Sequence, residues 1–133
     1  MKLVYLAGQW NEYEDNWKEK VKKVTTFNYF DPEFDSNQSS PETFFPEDME
    51  AVKKADILIA NPGKVSSEST WIEIGYFLGL KTKRPGEKCN KLIIIWQKDR
   101  NPKWSIEFAK KAGIVVGSVK QAIVELKKLD NPS

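Results

Sequence analysis

The sequence predicts an α/β fold: a single domain over residues 1–133, built on a doubly wound, five-stranded parallel sheet of the flavodoxin-like or Rossmann-like type. Short apolar runs alternate with segments of helical composition along the chain, which is typical of a parallel sheet with helices on both faces. The clearest run, residues 92–96, is apolar without interruption, which indicates a strand buried on both sides. A length of 133 residues suits one hydrophobic core and is too short for two ordinary domains. Because crossovers between parallel strands are right-handed, we favour the flavodoxin-type topology.

Five runs of apolar and β-branched residues predict the strands. The first run is closed by Gly8, and the second is ended by Pro32, which cannot donate a hydrogen bond to a strand ladder. The predicted strands are residues 3–7, 24–30, 57–60, 92–96 and 114–116.

Helical periodicity predicts five helices, four between these strands and one after the last strand, at residues 12–23, 46–55, 69–80, 104–112 and 118–129. In the first helix, Trp17 and Val21 share one face, which we expect to be buried. The lysines of that helix sit among acids, so we expect them to form a solvated face; they are Lys18, Lys20, Lys22 and Lys23. The third helix presents three apolar side chains at helical spacing, namely Ile72, Tyr76 and Leu80.

The segment 33–45 contains Ser, Asn, Gln and Pro and is predicted to be a long loop. A loop of this length in a small domain is more often functional than idle. The sequence Pro46-Glu47-Asp48 then predicts a helix start, since proline and acids are favoured in the first turn.

The composition excludes several classes of catalytic site. The protein has no histidine and one cysteine, Cys89, which excludes histidine-based triads, histidine metal ligands and a thiolate zinc cluster. With 21 basic and 19 acidic residues the net charge is +2, and no basic stripe with interleaved aromatics indicates nucleic-acid binding. No apolar run reaches membrane-spanning length, so we expect neither a membrane nor a nucleic-acid partner, and a cytoplasmic location.

Three stretches should meet at the carboxyl ends of the strands, where open α/β sheets bind ligands. They are Gly8-Gln9-Trp10, the segment 61–70, and the loop that leads to Asp48. Glu73 lies in the first or second turn of the helix that follows, where the helix dipole favours a carboxylate. Paired acids without histidine fit glycosyl transfer, in which one carboxylate attacks an anomeric carbon and another acid protonates the leaving group.

At these residues the sequence resembles the nucleoside 2-deoxyribosyltransferase superfamily, which also includes hydrolases of deoxynucleoside 5′-monophosphates. The resemblance spans about residues 3–96, and its most specific part is a nucleophilic Glu before an aliphatic-Gly pair. The matching blocks are Val4-Tyr5-Leu6-Ala7-Gly8 with Trp10, Asp48 with Ala55-Asp56, and Ser69-Thr70 with Glu73-Ile74-Gly75-Tyr76.

The resemblance implies a role for each matching residue. Glu73 would attack C1′ and form a covalent deoxyribosyl intermediate, Tyr5 would orient that carboxylate, and Asp48 would handle the proton of the nucleobase. The substrate-binding residues implied are Gly8, Gln9, Trp10 (against the base), Asn61, Ser67 and Ser69. The superfamily uses no metal or organic cofactor. The partners implied are a nucleoside or nucleotide, a free nucleobase and further copies of the chain, in a homodimer or larger homo-oligomer.

The residue at position 67 does not decide which class of substrate the resemblance implies. Classical transferases have an Asp six residues before the nucleophile, whereas the hydrolase branch has Ser there, near the 5′-phosphate. Transfer to another nucleobase, hydrolysis of a nucleoside monophosphate, and binding of nucleotides without catalysis therefore all stay open at this point. A weaker alternative is a glycohydrolase acting on NAD or signalling nucleotides.

Overall fold

The computed structural model describes residues 1–8, 16–63, 68–96 and 105–130. Its five strands form one parallel sheet in the order β2-β1-β3-β4-β5, which confirms the predicted doubly wound, flavodoxin-type fold. The strands are β1 (Leu3–Gly8), β2 (Asn28–Phe30), β3 (Ile57–Asn61), β4 (Leu92–Ile95) and β5 (Ile114–Val116).

Helices cover both faces of the sheet. They are α1 (Trp17–Lys22), α2 (Pro32–Asp35), α3 (Pro41–Lys54), α4 (Glu68–Lys81), α5 (Ser105–Ala112) and α6 (Val119–Lys128). Along β1, Tyr5 and Ala7 pack into the core cluster that includes residues of α3, α4 and α5, while Val4 and Leu6 pack into the cluster on the other face, with α1 and α6. Both faces of the central strands are therefore buried, as their apolar sequences predict.

Two predicted boundaries are wrong. The second strand begins at Asn28 rather than at residue 24, and Phe27 is buried against α1 and α6 outside the strand. The segment 33–45 is not one loop, because it contains the last three residues of α2 and the first five residues of α3. Helix α3 begins at Pro41 after the N-cap Ser40, whose backbone N–H donates to the Thr43 hydroxyl at 3.3 Å. Pro46 therefore lies inside the helix, where it removes one backbone donor without ending it.

The three apolar residues that lie at helical spacing on α4 do not form its buried face. Ile72, Tyr76 and Leu80 are exposed, and the buried face of the helix is formed by Thr70, Glu73, Ile74 and Phe77. The helix thus turns a carboxylate towards the sheet and leaves large apolar side chains outside. Within the described part of the chain, no helix has the length and apolar character needed to cross a membrane.

Candidate active site

The carboxyl ends of β1 and β3 bring two of the predicted substrate-binding residues together. Gly8 and Asn61 are register partners at the end of these parallel strands. Gly8 has a φ of 145°, and a Cβ at this position would lie 2.3 Å from the backbone oxygen of Asn61, so the close approach requires glycine. Asn61 is buried, and its side-chain oxygen accepts a hydrogen bond from the Gly63 N–H at 3.2 Å. The third described member of the predicted set, Ser69, is exposed on α4, four residues before Glu73.

The predicted catalytic residues Tyr5 and Glu73 are in direct contact. The Tyr5 phenol, on the middle of β1, donates a hydrogen bond to Oε2 of Glu73 on the inner face of α4. Tyr5 is fully buried and Glu73 is 7% exposed. The Tyr5 ring stacks on Phe30 with 5.5 Å between ring centroids and 11° between the planes, which fixes the direction of the phenol.

Burial has the largest effect on the pKa values of Tyr5 and Glu73. Desolvation raises the pKa of Glu73 to about 7; the Tyr5 hydrogen bond and the charge of Lys18 lower it, and the charge of Asp48 raises it. Burial and the neighbouring Glu73 carboxylate raise the pKa of the Tyr5 phenol well above its ordinary value. Tyr5 therefore keeps its proton and stays a hydrogen-bond donor to Glu73 at physiological pH.

Asp48 completes a pair of buried carboxyl groups. It is the eighth residue of α3 and is 8% exposed, so the predicted position at a helix start was wrong, because the helix begins at Pro41. Its Oδ1 atom is buried without a hydrogen-bond partner among the described residues. Burial raises the pKa of Asp48, the Ser36 hydroxyl and the charge of Lys18 lower it, and the charge of Glu47 raises it. An unpartnered buried carboxyl oxygen is free to bind a ligand proton or to carry one.

Two further residues take structural positions. Asp56 directly precedes β3 and accepts a hydrogen bond from the Leu3 N–H at 2.8 Å. Trp71 packs edge-on against Trp96, with 6.4 Å between ring centroids, whereas its neighbour Ile72 is 55% exposed. The remaining predicted site residues, Gln9, Trp10 and Ser67, lie outside the described residues.

Sequence reasoning missed a buried ionic cluster beside the site. Lys18 was expected on a solvated face, but it is 3% exposed and its Nζ lies 2.9 Å from Oδ1 of the fully buried Asp31. Lys22 lies 2.9 Å from the other oxygen, Oδ2, of the same carboxylate. The burial raises the pKa of Asp31, and the two ammonium groups lower it by more, so that its pKa falls below the ordinary value. The sequence did contain a signal for this burial. Lys18 adjoins Trp17 and lies three residues before Val21, so helical periodicity places it with them on the buried side of α1.

The site thus joins a buried carboxylate with a phenol donor, a second carboxyl group with one free oxygen, and a buried cation. This arrangement can present an oxygen nucleophile and a proton donor to one substrate. No group of three or more acidic or cysteine side chains in residues 1–8, 16–63, 68–96 and 105–130 is placed to hold a metal ion.

No protein-family model matches the sequence, and no curated protein matches it either. Solved structures do match its fold. The CMP N-glycosidase BcmB from Clostridium botulinum is 23% identical with a TM-score of 0.60, over 98% of this chain and 100% of that chain. A 2-deoxyribosyltransferase from Bacillus psychrosaccharolyticus is 16% identical with a TM-score of 0.64, over 91% of this chain and 90% of that chain. BlsM, solved in solution, is 16% identical with a TM-score of 0.57, over 99% of this chain and 96% of that chain.

These three matches extend along nearly the whole of this chain. At 16% to 23% identity, these matches show the fold: the chain has the same fold as a 2-deoxyribosyltransferase and a CMP N-glycosidase, in keeping with the resemblance inferred from its sequence.

Proposed function

We propose that this protein is an enzyme that cleaves the N-glycosidic bond of deoxynucleosides or their nucleotides and passes the sugar to another nucleobase. The observation that carries the proposal is the buried hydrogen bond from the Tyr5 phenol to Glu73, with a second buried carboxyl group, Asp48, close enough to raise the pKa of Glu73. Support also comes from the fold, which is shared with a 2-deoxyribosyltransferase and a CMP N-glycosidase.

The proposed reaction has two steps. In the first, an ionised carboxylate oxygen of Glu73 attacks C1′, the C1′–N bond breaks with its electron pair on the base nitrogen, and Asp48 gives that nitrogen a proton. In the second, a nitrogen of the acceptor base attacks C1′, the ester bond to Glu73 breaks, and the acceptor's proton returns to Asp48. Tyr5 hydrogen-bonds the carboxylate in both its attacking and its leaving state.

Hydrolysis is the second candidate, in which water replaces the acceptor base in the second step. It is favoured by the end-to-end match with the CMP N-glycosidase, which leaves almost no part of either chain unmatched. On this candidate, Ser67 is the residue that the resemblance assigns to the 5′-phosphate of a nucleoside monophosphate.

The test is to incubate the purified protein with deoxynucleosides and with their 5′-monophosphates, with and without a free acceptor base, and to separate the products by chromatography. A new nucleoside identifies the transferase, and free sugar or sugar phosphate alone identifies the hydrolase. Ligand-induced thermal stabilisation without any product would instead identify a binding domain. Release of nicotinamide from NAD would point to the related glycohydrolases.

The nucleophile is tested with Glu73→Gln, which we expect to lose at least about 10³-fold in rate, because a neutral amide cannot form the ester. The control is Glu50→Gln, which removes only an exposed ion pair with Lys54 at 3.8 Å and should keep full activity. Intact-protein mass spectrometry of the wild type mixed with substrate should show the mass of one added sugar. Full activity of Glu73→Gln would refute the assignment.

We also propose that the chain works as a homodimer or larger homo-oligomer, as the resemblance implies. Of the aromatic residues that the sequence offers for such contacts, Phe45 is 53% exposed, while Phe44 and Trp71 are partly buried. Light scattering during size-exclusion chromatography measures the state directly.

A further inference from the structure

We propose that the groove between α1 and α6 is a second ligand site, which binds an anion of the nucleoside triphosphate class: several phosphate charges joined to a flat ring system. The groove lies on the face of the sheet opposite to the candidate active site. Tyr5, the donor to Glu73, packs into the core cluster with α3, α4 and α5, whereas α1 and α6 cover the other cluster. The inference therefore does not depend on the proposed reaction.

The charge of the groove is the first observation. None of the described residues that line it is acidic, and half of them are lysines. Two of these lysines come from the end of α1 and two from α6; they are Lys20, Lys23, Lys120 and Lys127. All four are exposed, and within the described ranges none of them forms an ion pair.

The other lysines of the same two helices show that this lack of acids is local to the groove. Lys18 and Lys22 of α1 both bind Asp31, each at 2.9 Å. Lys128 of α6 lies 3.2 Å from Glu125. Acids thus balance the lysines outside the groove and leave the four ammonium groups around it unbalanced. The local field therefore favours a ligand with several negative charges.

The floor of the groove is aliphatic and is held by the core. Val119 is 5% exposed and belongs to the core cluster under α1 and α6, and Val24 and Ile123 are partly buried against that cluster. All three side chains line the groove together with the lysines. A ring system that packs on this surface removes apolar area from water. The groove therefore suits an anion with a ring better than a small inorganic ion.

The size of the groove favours a small molecule over a peptide helix. Its volume is about 520 Å³, within the range of about 300–1,000 Å³ that is typical of small-molecule sites. A helix of about ten residues is about 15 Å long and 10 Å wide, which corresponds to about 1,200 Å³, so the groove holds less than half of it. A nucleoside triphosphate has about as many negative charges as the groove has lysines.

The start of α6 adds backbone donors to the lysine charges. Val119 and Lys120 are the first two residues of this helix, and both line the groove. N–H groups at these positions have no intrahelical partner and favour phosphate oxygens. The Ser118 hydroxyl oxygen caps the next N–H, that of Gln121, at 3.1 Å. The helix start thus supports an anion that the lysines already favour.

The experiment titrates the ¹⁵N-labelled full chain with ATP, without Mg²⁺, and follows the backbone amide signals by NMR. We expect saturating shifts of the signals of Val119, Lys120 and Ile123. Adenosine lacks the charges and should cause no such shifts at the same concentrations. Inorganic tripolyphosphate lacks the ring and should bind at least about fivefold more weakly than ATP.

The charges are tested with the double variant Lys23→Gln/Lys120→Gln, which removes one lysine from each helix. Substitutions of exposed lysines rarely unfold a protein, and we expect the affinity for ATP to fall at least about tenfold. The matched control is Lys54→Gln/Lys110→Gln, which removes two exposed lysines that are paired with acids on the helices of the opposite face. It changes the net charge equally but should change the affinity by less than about twofold.

Equal losses of affinity in the two double variants would overturn the inference, as would a lack of shifts in the groove or shifts confined to residues around Glu73, such as Tyr5 and Ile74. Adenosine or tripolyphosphate bound as tightly as ATP would overturn the ligand class. Glu73→Gln should bind ATP in the groove with unchanged affinity. The outcome for the groove and the outcome for the proposed reaction are therefore separate results.

Discussion

We expect Glu73 to lower the free energy of unfolding as the pH rises, and we expect the replacement of Glu73 by Gln to remove this pH dependence. The pKa of Glu73 is raised from 4.5 to about 7, so between these values the folded protein holds a proton that the unfolded chain releases. The stability contributed by the protonated form is fully present below pH 4.5 and is lost as the pH rises to about 7. At about 1.4 kcal/mol per pH unit, the loss is about 3 kcal/mol in all, of which about 2.5 kcal/mol falls between pH 5 and pH 8.

The assay is urea denaturation of the wild type and of Glu73→Gln at pH 5 and pH 8, with the free energy of unfolding from linear extrapolation. The advantage of the Gln variant over the wild type should be larger at pH 8 than at pH 5 by about 2.5 kcal/mol. Glu50→Gln, which changes an exposed carboxylate, should show no such dependence. If the difference between Glu73→Gln and the wild type were the same at both pH values, the raised pKa of Glu73 would be wrong. If Glu73→Gln is inactive yet more stable than the wild type at pH 8, this carboxylate lowers the stability of the protein while it serves its activity.

Two further substitutions test the hydrogen bond to Glu73 and the close approach of β1 to β3. Tyr5→Phe keeps the ring that stacks on Phe30 but removes the donor to Glu73. We expect the rising limb of the pH–rate profile to move up by about one unit and the rate at pH 7 to fall about fivefold; an unshifted profile would contradict this role. Gly8→Ala places a Cβ 2.3 Å from the Asn61 backbone oxygen and should lower the free energy of unfolding by at least about 2 kcal/mol. Its control, Gly79→Ala on α4, meets nothing within 4 Å and should raise the free energy of unfolding by about 1 kcal/mol; similar effects of the two in denaturation would refute the steric argument.

The site also shows where local sequence patterns mislead. Apolar spacing on α4 emphasises Ile72, Tyr76 and Leu80, yet the helix turns Glu73 inward and leaves these three exposed. Near α3, proline chemistry favours a start at Pro46, but Ser40 and Pro41 begin the helix earlier, so Asp48 lies in its middle. In both cases more than one local pattern was compatible with the sequence, and packing against the sheet selected between them.

The sequence by itself determined the α/β class, the strand order and the residues by which the chain resembles the nucleoside 2-deoxyribosyltransferase superfamily. It could do so because strand alternation, right-handed crossovers and motif spacing are properties of short segments and of their order. Only the tertiary structure decided that Tyr5 and Glu73, 68 residues apart, share a hydrogen bond, and that Lys18 is buried against Asp31. The physical reason is that the ionisation and burial of a charged side chain depend on partners supplied by other elements, and these partners are fixed only when the sheet has assembled.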